Sequence, residues 1–386
     1  MPEPLETSPS CPSEAAGDLL YRQWPALPEL FPFSLSGLDL KHEADLEDNP
    51  QFIFVGPAAK RRAPARAVDA VGASDLLGLQ TLPRGACIFP LYLRDETKTN
   101  LFAEEGQQSR VPNLNPWARR YLDRLTQDGL GPVGPGREGE DAAVLEQSAR
   151  ALFHHAVAIT RAPLYRAGHE AALKKEWPRL PLPATAQLLA ASSKLGAEVT
   201  SLLDLKSEVP GVTSAPLRSD LRSLAKLVKA DGGIINPLAG HLLMGAPWGE
   251  RNATGQVAPS AGQSVVRAWN PDELAGLAPL VATQGIGQSQ ALALLGEEMH
   301  DIHLNPLVLW KGVPRGVWEY AVGGQPVLHI WLSHRAAGVT GRALTIEETR
   351  EMQGIVRRIA ALLLLGPSLD ANYRACTYEA VTLSSF

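Results

Sequence analysis

The 386-residue sequence has few cysteines, no long apolar run and no basic, apolar leader. Its three cysteines, Cys11, Cys87 and Cys376, are too few and too scattered for a disulfide framework or a CxxC metal site, so we expect free thiols. The longest apolar run, Ile359–Leu365, is far shorter than the roughly 18 residues of a membrane span, so we expect no membrane partner. The acidic N-terminus does not look like a secretory signal, which predicts a cytoplasmic protein.

Negative charge is concentrated at the N-terminus. The sequence has 36 Lys and Arg against 41 Asp and Glu, and residues 1–50 hold ten of the acids but only two of the bases. Residues 51–386 therefore carry a small excess of bases, which permits binding to nucleic acid without requiring it. Residues 1–18 are rich in Pro, Ser and Glu and have no hydrophobic periodicity, which predicts a disordered acidic tail.

Motifs of nucleotide-dependent and hydrolytic enzymes are missing. A P-loop needs GxxxxGK followed by Ser or Thr, a hydrolase elbow needs GxSxG, and neither occurs. Gly285-Ile286-Gly287 begins a dinucleotide-like pattern, but Gln290 occupies the place of its third glycine. We therefore expect no catalytic residue in this chain and no cofactor bound to it.

Two incomplete motifs leave an independent enzyme as the alternative. Asn49–Phe52 is similar to the amine-clamping tetrapeptide of amino-methyltransferases, but a glutamine replaces its second proline. Asp75, Glu96 and Lys98 have the residue types of a metal-dependent nuclease after an apolar segment. The open alternatives are thus a degenerate methyltransferase and a nuclease.

The paired histidines do not form a complete metal site. His300 and His303 would bind zinc only with ligands from elsewhere in the chain, and His154 and His155 fall on different faces of a predicted helix. We therefore expect surface or hydrogen-bonded histidines and no metal ion.

Proline and glycine divide the chain into two parts and predict an α+β fold. Residues 19–128 are apolar but often interrupted by proline, which predicts a β-rich N-terminal part of short strands that includes a buried strand over Cys87–Leu93. Several glycines and prolines after Asp128 predict a flexible connection. Residues 141–386 should form a helix-rich C-terminal part with a small sheet.

The strongest local signals lie in the C-terminal part. Apolar residues at helical spacing predict a long helix that ends at Pro163 and a shorter one through Leu173. Residues 317–322 resemble a strand, followed by a Gly-Gly turn and a short helix from Pro326. Thr345 and Glu348 form a predicted capping box for the last helix, which Gly366-Pro367 should end. Residues 210–300 have weak patterning and receive almost no assignment.

Several separated blocks resemble the C-terminal specificity domain of Type ISP restriction-modification enzymes. These blocks follow one another in the order of that family and span residues 30–375, almost the whole chain. They are Ile88-Phe89-Pro90-Leu91-Tyr92-Leu93 with Asn113-Leu114-Asn115, Pro163-Leu164-Tyr165-Arg166 with Leu173–Pro183 and Leu195–Val199, and Gly316–Tyr320 with Gly323-Gly324, Val327-Leu328, Trp331-Leu332 and Leu344-Thr345.

The resemblance implies a DNA target-recognition module. Full-length enzymes of that family carry a nuclease, an ATP-driven motor and an adenine methyltransferase, so the implied partners are double-stranded DNA and a methyltransferase or motor subunit. S-adenosylmethionine is expected in that partner and not in this chain. The sequence departs from the family at residues 159–163, at Gln325 and over residues 205–300. A scaffold of a phage-defence complex that no longer reads DNA is a third possibility.

Two basic segments are the predicted phosphate contacts. A proline-bounded run between residues 60 and 66 has four bases and no acid, and a second cluster lies between residues 161 and 179, next to the proline-rich connection Trp177–Pro183. The predicted DNA-binding residues are Lys60, Arg61, Arg62, Arg166, Lys174, Lys175 and Arg179.

Overall fold

The computed structural model describes residues 21–32, 35–36, 51–55, 68–72, 87–94, 110–129, 138–322, 324–378 and 380–381. Helices and small antiparallel sheets occur together in this part of the chain, which confirms the predicted α+β class. The disordered tail predicted for residues 1–18, the basic run of residues 60–66 and the catalytic alternative at Asp75, Glu96 and Lys98 lie outside the described residues.

Short strands dominate the N-terminal elements, as the repeated prolines predict. The elements are α1 (Leu27–Leu30), β1 (Leu35–Ser36), β2 (Gln51–Val55), β3 (Val68–Gly72), β4 (Cys87–Pro90), β5 (Tyr92–Arg94), β6 (Arg110–Pro112) and α2 (Pro116–Gly129). Strands β1, β4, β2 and β3 form an antiparallel sheet in that order, and β5 pairs with β6. The buried strand predicted over Cys87–Leu93 is confirmed only in part, since the segment forms two strands of different sheets that separate at Leu91, with Phe89 and Leu91 buried.

A bundle of helices follows. Its elements are α3 (Glu138–Arg161), α4 (Pro163–Gly168), α5 (Glu170–Leu173), β7 (Leu182–Pro183) and α6 (Ala186–Leu203). Pro163 ends α3 as predicted, because proline lacks an amide hydrogen and displaces the preceding residue from helical geometry. Helix α6 packs along α3, and its glycine Gly196 lies against the α3 backbone at His154.

The second half of the chain is built around a four-stranded antiparallel sheet. Its elements are α7 (Ser219–Arg222), β8 (Lys226–Lys229), β9 (Gly249–Arg251), β10 (Val257–Pro259), β11 (Ser264–Ala268), α8 (Pro271–Leu277), α9 (Leu280–Gln284), α10 (Gln288–Leu295), β12 (Glu298–His303) and β13 (Val308–Pro314). The strand order is β11-β12-β13-β8, and β9 and β10 form a separate hairpin. Strands β8 and β11 lie within residues 210–300, to which the sequence assigned almost nothing.

Helices complete the C-terminal part. Its elements are α11 (Arg315–Trp318), β14 (Ala321–Val322), β15 (Gln325–Pro326), α12 (Val327–Arg335), α13 (Ala337–Thr340), α14 (Ile346–Leu364), α15 (Gly366–Tyr378) and β16 (Ala380–Val381). The capping box of Thr345 and Glu348 is confirmed at the start of α14. The predicted turn is confirmed too, since β14 and β15 form a hairpin in which Val322 pairs with Gln325.

One local prediction is wrong, and a second is confirmed only in part. A strand was predicted over residues 317–322, but only Ala321–Val322 forms one. Val317 and Trp318 belong to the helical turn after Pro314, which buries both of these adjacent side chains. The helix that Thr345 and Glu348 open does end before Gly366-Pro367, at Leu364, as predicted, but it is not the last helix, since α15 begins at Gly366. Proline is tolerated in the first turn of a helix, where the amide groups have no intrahelical partner.

Among the described residues, no single helix has both the length and the hydropathy of a membrane span. Only α14 and α15 taken together, across a bend of 41°, reach that length and composition.

Candidate nucleic-acid interface

The structure describes four of the seven predicted DNA contacts and places them in one segment. Arg166 lies on α4, Lys174 and Lys175 follow α5, and Arg179 lies in the proline-rich connection before β7. Lys60, Arg61 and Arg62 lie outside the described residues. Residues 166–179, here called the basic segment, are therefore where the predicted DNA contacts can be compared with the structure.

Lys174 and Lys175 are exposed at the start of this connection. The Lys174 ammonium donates to Glu170 Oε1 at 2.5 Å, and both side chains of this pair are largely accessible to solvent. The pair lowers the pKa of Glu170 through the Lys174 hydrogen bond. Exposed ion pairs contribute little to stability and are screened by salt, so a phosphate can compete with Glu170 for Lys174.

Arg166 and its neighbour Arg161 donate to protein oxygens. Arg166 Nε donates to the Thr160 carbonyl at 2.8 Å, and Arg161 Nη1 donates to the Tyr320 hydroxyl at 2.7 Å. These bonds connect the end of α3 with α4 and with the hairpin region far away in sequence. The two arginines thus support the local structure in addition to any contact with a ligand.

Arg179 joins the proline-rich connection to the N-terminal segment. Its Nη1 donates to the Trp24 carbonyl at 2.9 Å, and Leu180 N donates to the Pro25 carbonyl at 3.0 Å. The Arg179 carbonyl accepts from the Tyr165 hydroxyl at 3.0 Å. Because Trp24 and Tyr165 are buried, these bonds fix the backbone beside the exposed lysines.

A buried polar network also contacts the proline-rich connection from the protein interior. His155 Nε2 lies 2.9 Å from the Pro181 carbonyl, and its Nδ1 lies 2.8 Å from Ser192 Oγ. Asn372 Nδ2 donates to the same hydroxyl oxygen at 2.9 Å. Because a carbonyl only accepts, the proton of the neutral imidazole must be on Nε2, and Nδ1 accepts from the Ser192 hydroxyl. Helices α3, α6 and α15 thus meet the connection in a satisfied network.

Acidification should destabilise the protein through this histidine. Burial lowers the pKa of His155 to about 4 from its usual 6.5, so below pH 6.5 the unfolded chain binds a proton that the folded chain does not. The free energy of unfolding should therefore fall as pH decreases from 6.5 to 4, with about 3 kcal/mol lost at this one residue. Urea denaturation at several pH values measures the loss.

The matched variant for this prediction is His155→Gln, whose amide can still donate to Pro181 but does not titrate. Between pH 7 and pH 4, the wild type should lose about 3 kcal/mol more stability than the variant. Equal losses in the two proteins would show that His155 is not the neutral, buried residue that the geometry describes.

A second exposed basic surface lies on the four-stranded sheet and was missed in the sequence. Lys226 on β8 pairs with Lys311 on β13 across the two strands, and both side chains are exposed. Lys229, at the end of β8, is bonded to Asp231 at 2.7 Å. The only local signals were the lysines themselves, since neither β8 nor β13 was assigned from the sequence.

Two acids at this sheet, Asp301 of β12 and Glu273 of helix α8, share one arginine. Arg267 donates to both Glu273 carboxylate oxygens at 2.7 and 2.8 Å and to Asp301 Oδ2 at 3.0 Å. Asp301 Oδ1 also accepts from the Gly312 amide at 2.8 Å. The single arginine charge thus offsets one of the two carboxylate charges inside the fold, and less negative charge opposes an anionic ligand.

His300 of β12 packs against an aromatic ring. His300 stacks on Trp318, with ring centroids 5.5 Å apart, and Trp318 lies 4.1 Å from His329. Within the described ranges, no group of three or more His, Cys, Asp or Glu side chains is arranged to hold a metal ion. Of the methyltransferase-like tetrapeptide Asn49–Phe52, only Gln51 and Phe52 are described, and they belong to strand β2.

The sequence matches the model of one protein family. The model of the Type ISP C-terminal specificity domain matches residues 43–354, which is most of the chain. No curated protein matches the chain in sequence.

Solved structures also match the chain. A DrdV–DNA complex, solved by cryo-electron microscopy, has a TM-score of 0.45 and 14% identity, and the match covers 89% of this chain and 25% of that one. The ATP-dependent Type ISP restriction-modification enzyme LlaBIII bound to DNA has a TM-score of 0.39 and 11% identity, covering 84% and 16%. A nuclease-deletion mutant of the Type ISP enzyme LlaGI with a DNA substrate mimic has a TM-score of 0.38 and 10% identity, covering 84% and 21%. The chain thus spans a quarter or less of the length of these proteins.

Proposed function

Since the chain belongs to the Type ISP C-terminal specificity domain family, we propose that it is a DNA target-recognition module that reads a sequence in duplex DNA. The observation that carries the proposal is the family match over residues 43–354. The exposed lysines of the basic segment and of the four-stranded sheet support it, since neutralisation of phosphates supplies most of the affinity of such proteins.

The proposed mechanism separates positioning from reading. Lys174 and Lys175 contact phosphates, while Arg166 and Arg179 support the backbone that carries these lysines and add positive potential. Lys60, Arg61 and Arg62 form a second phosphate-contacting loop, a proposal that rests on the sequence alone. Exposed loops that contact base edges supply the sequence preference.

Chemistry on the DNA belongs to a partner in this proposal. The chain directs an adenine methyltransferase or restriction complex in the cytoplasm, and S-adenosylmethionine, base flipping and cleavage belong to that partner. Motifs for nucleotide binding and acyl hydrolysis do not occur in the sequence, which supports a module without catalytic activity.

The salt dependence of duplex binding tests the phosphate contacts. The Lys174→Ala/Lys175→Ala double variant should bind every duplex more weakly, and its slope of log K against log salt should be shallower by about 0.9 for each lost contact. The preference among sequences should survive, because phosphates carry no sequence information. Fluorescence anisotropy of labelled duplexes over a salt series gives both quantities.

The matched control is Lys194→Ala/Lys206→Ala, which removes two exposed charges from other parts of the surface. Its salt slope should stay closer to that of the wild type. If the two double variants show the same slope, the effect comes from net charge, and Lys174 and Lys175 are not at the interface.

A further inference from the structure

The loop between β8 and β9 carries two apolar side chains that touch almost nothing. Residues 230–241, here called the apolar loop, are exposed except for Ile235 and His241, which are half-buried. Ile234 is 90% exposed and Leu238 is 98% exposed, far above the other exposed aliphatic side chains of the described chain. Single exposed apolar residues are common, but two almost fully exposed aliphatic side chains on one loop need a physical explanation.

Hydrogen bonds hold the apolar loop in a defined shape. Asp231 Oδ1 accepts from the Gly233 amide at 2.9 Å, and Asn236 Oδ1 accepts from the Leu238 amide at 3.0 Å. The Asn236 amide donates to His241 Nδ1 at 2.9 Å and so joins the two ends of the turn. Because the backbone is ordered in this way, a ligand does not have to supply the entropy cost of ordering it.

The apolar loop is also fixed to the sheet at its base. Ile235 packs against the core, while its neighbour Ile234 faces solvent. Asn305, at the turn between β12 and β13, donates to the His241 carbonyl at 2.9 Å, and Ala230 N donates to the Leu307 carbonyl at 2.8 Å. The two bare side chains therefore project from a rigid support at one end of the four-stranded sheet.

The charges around the apolar loop suit a polyanion. Its only acid in the sequence is Asp231, and that carboxylate is bonded to Lys229 at 2.7 Å. Lys226, at the start of β8, and Lys311, opposite it on β13, are exposed on the sheet that carries the loop. The phosphates of a duplex bound at this sheet would therefore meet exposed positive charge and no unpaired acid of the apolar loop.

Duplex DNA fits these side chains better than a protein surface does. The centre of a protein interface is a continuous apolar patch whose residues shield one another from water. Side chains that are 90% and 98% exposed do not shield each other and stand as separate projections. A projecting aliphatic group has one apolar partner on the edges of base pairs, the thymine 5-methyl group, which lies in the major groove.

We propose that the apolar loop enters the major groove of the target and that Ile234 and Leu238 recognise thymine methyl groups. This inference rests on the proposed function. It adds which loop contacts the bases and which chemical group of the DNA that loop recognises. The hydrogen bonds of the apolar loop involve its backbone and its polar side chains, so truncation of the two apolar groups leaves them in place.

The experiment combines protein and DNA changes on a duplex selected by the wild-type chain. Replacing thymine by deoxyuridine, one position at a time, removes only the methyl group and should weaken wild-type binding about four-fold at one or more positions. The Ile234→Ala/Leu238→Ala variant should bind the thymine duplex about ten-fold more weakly and should not respond to deoxyuridine at those positions. Its melting temperature should equal that of the wild type.

Val281→Ala is the matched control, since it shortens another exposed aliphatic side chain, which is 58% exposed on α9. It should keep wild-type affinity and the wild-type response to deoxyuridine. If the wild type selects a site but the double variant binds it equally well, or remains equally sensitive to deoxyuridine, this inference is wrong while the proposed function stands. If the wild type selects no site at all, the proposed function fails and this inference fails with it.

Discussion

A Gly196→Ala substitution should destabilise the protein by about 3 kcal/mol or more. A Cβ atom at position 196 of α6 would lie 1.8 Å from the His154 carbonyl oxygen and 2.5 Å from its carbonyl carbon. These are backbone atoms of a buried helix, so the clash can be relieved only if α3 and α6 move apart. That movement would also lengthen the contact between His155 and Ser192.

The sign of this effect is diagnostic, because alanine is normally preferred to glycine inside a helix by up to about 1 kcal/mol. Gly354→Ala on α14 is the matched control, since the nearest atom to its added Cβ is Thr213 Cγ2 at 3.9 Å. Urea denaturation should show a large loss for Gly196→Ala and a small gain for Gly354→Ala. A gain in both variants would refute the close packing of α3 and α6.

Truncation of Trp331 to alanine should cost about 3 to 5 kcal/mol of stability. The ring is 5% exposed and packs edge-on against Trp310 of β13, with centroids 6.1 Å apart and planes at 83°. Its Nε1 donates to Glu351 of α14 at 2.9 Å, and the Arg335 guanidinium lies 4.3 Å from the ring centroid. Trp331 thus joins the sheet to the long C-terminal helix, and its loss leaves a cavity between them.

Trp331→Phe separates burial from the hydrogen bond and should lose clearly less stability than the alanine variant. Both variants should bind duplex DNA like the wild type at temperatures where they are folded. Wild-type stability combined with lost DNA affinity in Trp331→Ala would instead make this residue an exposed stacking group and contradict its burial.

Local sequence signals predicted the helices well, since their determinants lie within one or two turns. Thr345 and Glu348 occur at the spacing of a capping box and form one, and Met352, Ile355 and Ile359 face the core as their spacing predicts. Proline marks a boundary between two helices at both positions. Pro163 follows α3 and lies in the first turn of α4, and Pro367 follows α14 and lies in the first turn of α15.

The sheet of strands β11, β12, β13 and β8 was not predicted, because these strands lack the alternation of apolar and polar residues that is typical of a half-buried strand. A register shift between His300 and Ile302 places the buried Met299 and Ile302 three residues apart on β12. Strand β13 is buried on both sides of its exposed Lys311, so its sequence is almost continuously apolar. Strand β11, at the edge of the sheet, lacks the alternation for another reason, since its adjacent Val265 and Val266 are both exposed.

The candidate interface could be predicted only in part, because long-range contacts decide what each arginine does. Arg161 bonds to Tyr320 and Arg179 to Trp24, and neither partner is near in sequence. The exposed Lys174 and Lys175 were identified from charge alone, which needs no tertiary information. Ile234 and Leu238 were missed because an apolar residue in a sequence is expected in the core unless its surroundings are known.

The central claim is that the chain reads a DNA sequence, and the most direct test is selection from a random duplex library with the purified 386-residue protein. After several rounds, the affinity of the recovered duplexes is compared with that of unselected DNA at one fixed salt concentration. The account predicts enrichment of a defined site that is bound at least about 10³-fold more tightly than random duplex. Equal affinity for selected and random DNA, or no binding to either, would contradict it.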